Sequence, residues 1–127
     1  MGTLATIETK SAPAAIGPYS QAIRANGFLY TSGQIPLNPE TGALEGESIE
    51  AQAERAIRNL GEILTAAGTD FSKVVKTTCF LAHISDFAAF NAVYEKYFVS
   101  KPARSCFEVA ALPKGALVEI ETVAVVE

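Results

Sequence analysis

Pro102-Ala103-Arg104-Ser105-Cys106-Phe107-Glu108-Val109, then Leu112-Pro113-Lys114-Gly115, then Val118-Glu119-Ile120-Glu121, is the stretch on which the fold turns. Two β-type runs flank a proline–glycine breaker, so the segment reads as two strands joined by a short loop, a closing hairpin. Side chains alternate across a strand. Arg104, Cys106 and Glu108 should therefore share one face, with Ser105, Phe107 and Val109 on the other. On the second strand Glu119 and Glu121 lie opposite Val118, Ile120 and Thr122. The expectation is a guanidinium, a thiol and two carboxylates gathered on one side of a sheet whose other side is apolar. A face buried in its own core has no use for such charges. This one is expected to meet a small carboxylate ligand and neighbouring subunits.

Upstream, Asn26-Gly27 separates the runs 21–25 and 28–32, and that dipeptide favours a two-residue type I′ hairpin. Before it come a short edge strand at 6–8 and a Ser/Ala/Pro loop ending in Ile16-Gly17-Pro18-Tyr19, which sets Tyr19 at the mouth of a strand. In Ser32-Gly33-Gln34-Ile35-Pro36 the glycine marks a bulge or a close approach of another backbone or a ligand. A first helix is expected over 48–67, with Ser48 as cap and Gly68 as stop. Ile49, Ala53, Ala56, Leu60, Ile63, Leu64 and Ala67 form its apolar stripe, and Glu50, Glu54, Arg58 and Glu62 its wet row.

Residues 74–82 read as a β-branched strand, with Lys76, Thr78 and Phe80 opposite Val75, Thr77, Cys79 and Leu81. Asp86 is placed to cap a second helix reaching Phe98. Its Phe87, Phe90, Tyr94, Tyr97 and Phe98 recur at helical spacing and read as core, while Asn91 is a polar residue among aromatics. Strand, hairpin, helix, strand, helix, hairpin implies an α+β fold: one mixed β-sheet with two helices packed on one face. No element is left to cover the other face, so a homo-oligomer is expected.

The whole chain, 1–127, reads as a single domain with 49% apolar and 19% charged residues. A net charge of −4 and the absence of a basic run argue against nucleic acid as partner. No apolar run approaches membrane-spanning length, and no secretory pattern is present. Met1-Gly2-Thr3-Leu4-Ala5-Thr6 matches a short acylation pattern that chance often supplies. Two distant cysteines, Cys79 and Cys106, and one histidine lack metal-ligand spacing, so no metal and a reduced cytoplasmic location are expected. His83, Ser85 and Asp86 are too close in sequence to form a catalytic relay.

Several separate motifs agree in order. Ala15-Ile16-Gly17-Pro18-Tyr19-Ser20-Gln21, Thr31-Ser32-Gly33-Gln34-Ile35-Pro36, Asn91-Ala92-Val93-Tyr94, and Arg104-Ser105-Cys106 through Leu112-Pro113-Lys114 to Glu119-Ile120-Glu121 resemble the RidA (formerly YjgF) family. The resemblance runs from about residue 6 to the end. It implies a chorismate-mutase-like fold, a homotrimer with ligand clefts between subunits, and no cofactor. The implied activity is hydrolysis of 2-imino acids or their enamine tautomers to 2-keto acids and ammonia. By this resemblance Arg104 binds the substrate carboxylate and Glu119 positions or activates water. Cys106 and Gly33 line the site largely through backbone groups, and Tyr19, Ser32 and Asn91 complete it. Ala111 stands where many relatives carry arginine, which bears on the rim and substrate range.

The residue types suit that chemistry. Arginine's planar fork holds a carboxylate through two parallel hydrogen bonds and so fixes the adjacent imine carbon. A nearby carboxylate can orient water and accept its proton. The residues alone also allow Arg104 and Glu119 to be a cross-strand ion pair, and allow Glu121 to share the work of Glu119. Cys106 reads as a lining residue, since no histidine is placed to activate it. Two other functions are weighed: a regulatory module that binds a 2-keto acid without turnover, and RNA cleavage or translation inhibition, proposed for some members of the family it resembles, which the acidic balance and the lack of a basic or aromatic platform oppose.

Overall fold

The computed structural model describes residues 3–126, so Met1-Gly2 of the acylation-like pattern lie outside the described residues. Eight elements follow in order: β1 (Ala5–Ile7), β2 (Ala22–Ala25), β3 (Phe28–Thr31), α1 (Ile49–Ala66), β4 (Val74–Leu81), α2 (Phe87–Tyr97), β5 (Ala103–Glu108) and β6 (Val118–Val125). The strands form one six-stranded sheet in the order β1-β2-β3-β6-β4-β5. Every neighbouring pair is antiparallel except β4–β5, which is parallel across the α2 crossover. The mixed sheet with two helices is as the sequence implied.

The β2–β3 hairpin turns at Asn26 and Gly27, with φ of 52° and 81°, the left-handed pair a type I′ turn requires. α1 starts where the Ser48 side chain accepts from the Ala51 backbone N–H, and stops at Gly68 with φ of 83°. Its expected stripe is buried, together with Ile57, Gln52 and Asn59. Glu54 is not simply wet: it accepts from the Tyr97 hydroxyl and lies 3.9 Å from Lys96 Nζ, tying α1 to α2. Asp86 precedes α2 but its side chain makes no capping hydrogen bond, since a 3₁₀ turn already occupies Ile84–Asp86.

Two expectations are corrected. β5 and β6 are consecutive in sequence and joined by a short loop, but they do not form a hairpin, because β4 lies between them and pairs with both. β5, reached through the α2 crossover, takes one edge of β4, and β6 takes the other edge of β4 in place of the free edge of β5. In β4, a bulge between Val74 and Lys76 interrupts the alternation. Val74 is buried and Val75 exposed, with Thr77, Cys79 and Leu81 resuming the core face.

The core lies between one sheet face and the helices, where Leu29, Ile57, Leu60, Ile63, Leu64, Leu81, Phe90, Val118 and Ile120 are fully buried. The opposite sheet face is left uncovered by the described residues. Across it run Glu121, Thr78 and Ser105 in one register row, and Glu119, Phe80 and Phe107 in the next. Tyr30, Phe28 and Phe107 are exposed there.

Candidate active site

Arg104 sits on the edge strand β5, paired in register with Thr77, whose side chain faces the helices and is fully buried. That parity turns Arg104 toward α2. Phe87, Asn91 and Tyr94 recur at spacings of four and three, so they share one face of that helix, and all three meet the guanidinium. Arg104 Nη1 donates to Asn91 Oδ1 at 2.7 Å. Its Cζ lies 4.8 Å from the Tyr94 ring centre and 5.4 Å from that of Phe87. Among the described residues the ion pairs are Arg55–Glu45 and Lys96–Glu54, so no carboxylate lies within 4.0 Å of Arg104. The cross-strand ion pair with Glu119 is not formed.

A cavity of about 590 Å³ opens beside this arginine, lined by Asn91, Tyr94, Phe98, Lys101, Pro102 and Arg104 among others. Cys106 follows two residues on, on the same side and in register with Cys79. Burial raises the Cys106 thiol above its ordinary value and outweighs the opposing pull of Arg104. Cys79 is pushed up to about 12, chiefly by burial and then by Cys106. Both are thiols rather than thiolates near neutral pH, which suits a lining role for Cys106.

Glu119 belongs to a second group. It pairs in register with Phe80, three residues from Thr77 and of opposite parity, so it projects from the uncovered face. Gly33 approaches it closely: a Cβ on Gly33 would collide with the carboxylate, standing 2.8 Å from Glu119 Cδ. Backbone bonds between Gln34 and Ile120, at 2.8 and 3.1 Å, hold the two segments together. The group close to the glycine is thus a side-chain carboxylate, not the backbone or ligand expected there. Burial, and then repulsion from Glu121, raises the Glu119 carboxyl above its ordinary value. Ser32 Oγ donates to the Ser20 carbonyl at 2.6 Å, which ties this segment to the loop carrying Tyr19. Tyr19 itself is exposed, at the wall of a separate groove of about 1020 Å³ whose other walls include Ile7, Lys10, Ala12 and Glu40.

The seven residues expected to share a site therefore separate within one chain. Arg104, Asn91 and Cys106 face the helix side, Gly33 and Glu119 meet on the open side, and Ser32 and Tyr19 lie along the adjoining loop. The expectation of one face for Arg104, Cys106, Glu119 and Glu121 fails because β4 intervenes. Each outer strand takes its facing from its own register with β4. Phe87 and Tyr94 escaped the sequence reading because aromatic residues at helical spacing ordinarily pack a core. Their positions four before and three after Asn91 were the available signal.

Comparisons with known proteins agree on one relationship. A family model described as endoribonuclease L-PSP matches residues 9–126. The human protein named 2-iminobutanoate/2-iminopropanoate deaminase is 52% identical over 94% of this chain and 88% of its own. Among solved structures, the Rid-family protein YyfA of Yersinia pestis is 53% identical with a TM-score of 0.95, covering 98% of this chain and all of its own. The E. coli protein TdcF, solved with bound serine, is 40% identical with a TM-score of 0.91, covering 97% and 99%.

Proposed function

This chain belongs to the RidA (YjgF) family, and on that premise we propose that it is a hydrolytic deaminase of 2-imino acids, yielding 2-keto acids and ammonia. The observation that carries the reading is Arg104. A guanidinium clamped by Asn91 and two aromatic rings, with no acidic partner among the described residues, is built to receive a carboxylate from outside the chain.

A 2-imino acid places its carboxylate next to an electrophilic C=N carbon. Arg104 holds the carboxylate through the edge of its guanidinium, which fixes the carbon in space. Water adds to that carbon of the protonated imine as Glu119 takes one of its protons, giving a neutral carbinolamine. The proton then passes from Glu119 to nitrogen, the C–N bond breaks and ammonia leaves, and Glu119 takes the hydroxyl proton as the oxygen's electron pair closes the C=O. A carboxyl group raised by burial is a stronger base than an ordinary one, which suits the first step. Substrates of this class are reactive products of amino-acid dehydration, so the activity is one of removing damaging intermediates.

One chain cannot bring Arg104 and Glu119 together, since they lie on opposite faces of its sheet. The reading therefore includes a homotrimer whose sites lie between copies. The aromatic residues left uncovered on the open face support it. The cytoplasm is the proposed location, in keeping with two unpaired thiols. Among the described residues no helix is long and apolar enough to cross a membrane. RNA cleavage, which the family model's description names, fits less well, because the net charge is −4 and Glu119 and Glu121 would repel phosphate.

The test is keto-acid release from an imine generated in place by a serine or threonine dehydratase, with semicarbazide competing for the intermediate. Wild type should accelerate release and Arg104→Ala should not. Absence of acceleration by wild type, with a 2-keto acid still binding in calorimetry, would replace the enzyme by a regulatory binding module.

A further inference from the structure

Arginine on an edge strand is ordinarily a mobile side chain, with several rotatable bonds to order before it can bind anything. Here it is ordered before any ligand arrives. The Tyr94 ring lies 4.8 Å from Arg104 Cζ. The hydroxyl at the far end of that ring shares a hydrogen bond of 2.7 Å with Thr77 Oγ1, and both residues are buried. Thr77 is in turn the register partner of Arg104 across β4 and β5. The three side chains close a loop: strand position to arginine, arginine to ring, ring through its hydroxyl back to the neighbouring strand. Tyr94 also stacks on Phe98 at 4.2 Å and 21°. The ring is thus held at its face and at its tip.

We propose that Tyr94, anchored by Thr77, is a positioning residue that sets the plane and height of the Arg104 guanidinium for a substrate carboxylate. The inference rests on the deaminase reading for its meaning in catalysis, though the positioning itself is a property of the unliganded chain. The Arg104 Cζ lies over the Tyr94 ring, and in the proposed arrangement the guanidinium lies flat on it, which keeps its edge N–H groups available for a bidentate carboxylate. Asn91 takes one N–H and fixes rotation in that plane. A core position alone would be served by phenylalanine, as at Phe90 and Phe98 nearby, without the need to satisfy a buried hydroxyl. Burial raises the Tyr94 hydroxyl above its ordinary value, so it is a neutral hydroxyl in the working range.

Tyr94→Leu, Tyr94→Phe and Thr77→Val would be compared with wild type in two measurements. The first is the arginine Nε–H spectrum of ¹⁵N-labelled protein, with the Arg104 signal assigned by Arg104→Lys. In wild type it should be shifted upfield by the ring and exchange slowly with water; Tyr94→Leu should remove both properties, and Tyr94→Phe and Thr77→Val should weaken the second. The second measurement is steady-state kinetics with calorimetry of 2-keto-acid binding. Tyr94→Leu should raise KM and Kd about 5- to 30-fold with kcat within about twofold, Tyr94→Phe should recover most of that loss, and neither should add to the loss already caused by Arg104→Ala. An unmoved Arg104 signal overturns the proposal, as does a fall in Tm with KM and Kd unchanged. If Tyr94→Leu does not fold, Tyr94→Phe and Thr77→Val decide, since both keep the packing volume. Wild type that turns over no imine would sink the deaminase reading alone, and the spectrum would still decide whether Tyr94 positions Arg104.

Discussion

The two halves of the site are built differently. The Arg104 half draws its contacts from one chain: a helix face supplies a hydrogen bond and two rings to the guanidinium. The Glu119 half is held in tension, because its carboxylate is packed against the backbone at Gly33, partly buried, and repelled by Glu121. A binding group benefits from being pre-ordered, since less freedom is lost when the ligand arrives. A base benefits from an environment that disfavours its charge. On the proposed reading, binding and reactivity thus sit on opposite faces of the sheet, and association between copies would join them.

If that division holds, damage to each half should appear in a different kinetic constant. Arg104→Ala should lower kcat/KM by about 10²- to 10⁴-fold, the worth of two charge-assisted hydrogen bonds, with most of the loss in KM. A loss confined to kcat would break the comparison. Glu119→Gln should lower kcat by about 10²- to 10³-fold with KM little changed. Wild-type kcat should also fall as pH drops through the raised pKa of Glu119, a limb absent from the glutamine variant.

The same variant sharpens the contrast through stability. A carboxyl whose folded pKa is raised loses protons first in the unfolded chain, so it destabilises the fold as pH rises from its ordinary value of 4.5 through the raised value. Glu119→Gln should therefore melt higher than wild type at neutral pH and lose that advantage below about pH 4, as followed by thermal unfolding across pH. Equal melting temperatures near neutral pH would show that Glu119 is not under tension.

Gly33→Ala tests the same half by geometry. The new methyl would take the space of the Glu119 carboxylate, whose flexible end can swing aside, so the fold should persist while kcat falls about 10- to 100-fold. Unchanged turnover would separate Glu119 from the chemistry. Cys106→Ser should have the smallest effect, within about threefold in kcat and KM, because its thiol is raised by burial and takes no covalent part. A loss of several hundredfold would restore the thiol as a nucleophile.

Much of the fold was legible in the chain's local patterns. Ser48, Gly68 and the α1 stripe announced that helix, and Asn26-Gly27 announced the β2–β3 turn, because caps and turns are local chemistry. Gly33 was read as admitting another backbone or a ligand, whereas the group packed against it is the Glu119 side chain, which nothing nearby in sequence named. The aromatic residues of α2 were read as core, and Phe90 and Phe98 are buried, but Phe87 and Tyr94 turned out also to hold an arginine from another strand.

What the sequence by itself determined is the set of elements, the open sheet face, and which residues are candidates for handling an imino acid. Those follow from periodicity, turn chemistry and side-chain types, each readable within a few neighbouring positions. Which face each residue occupies was decided only in three dimensions. Alternation relates residues along one strand, but β5 and β6 are related through β4, and their relative facing depends on two registers and on a strand order that no local pattern encodes. That is why Arg104 and Glu119, fifteen positions apart and alike in pattern, stand on opposite sides of the same sheet.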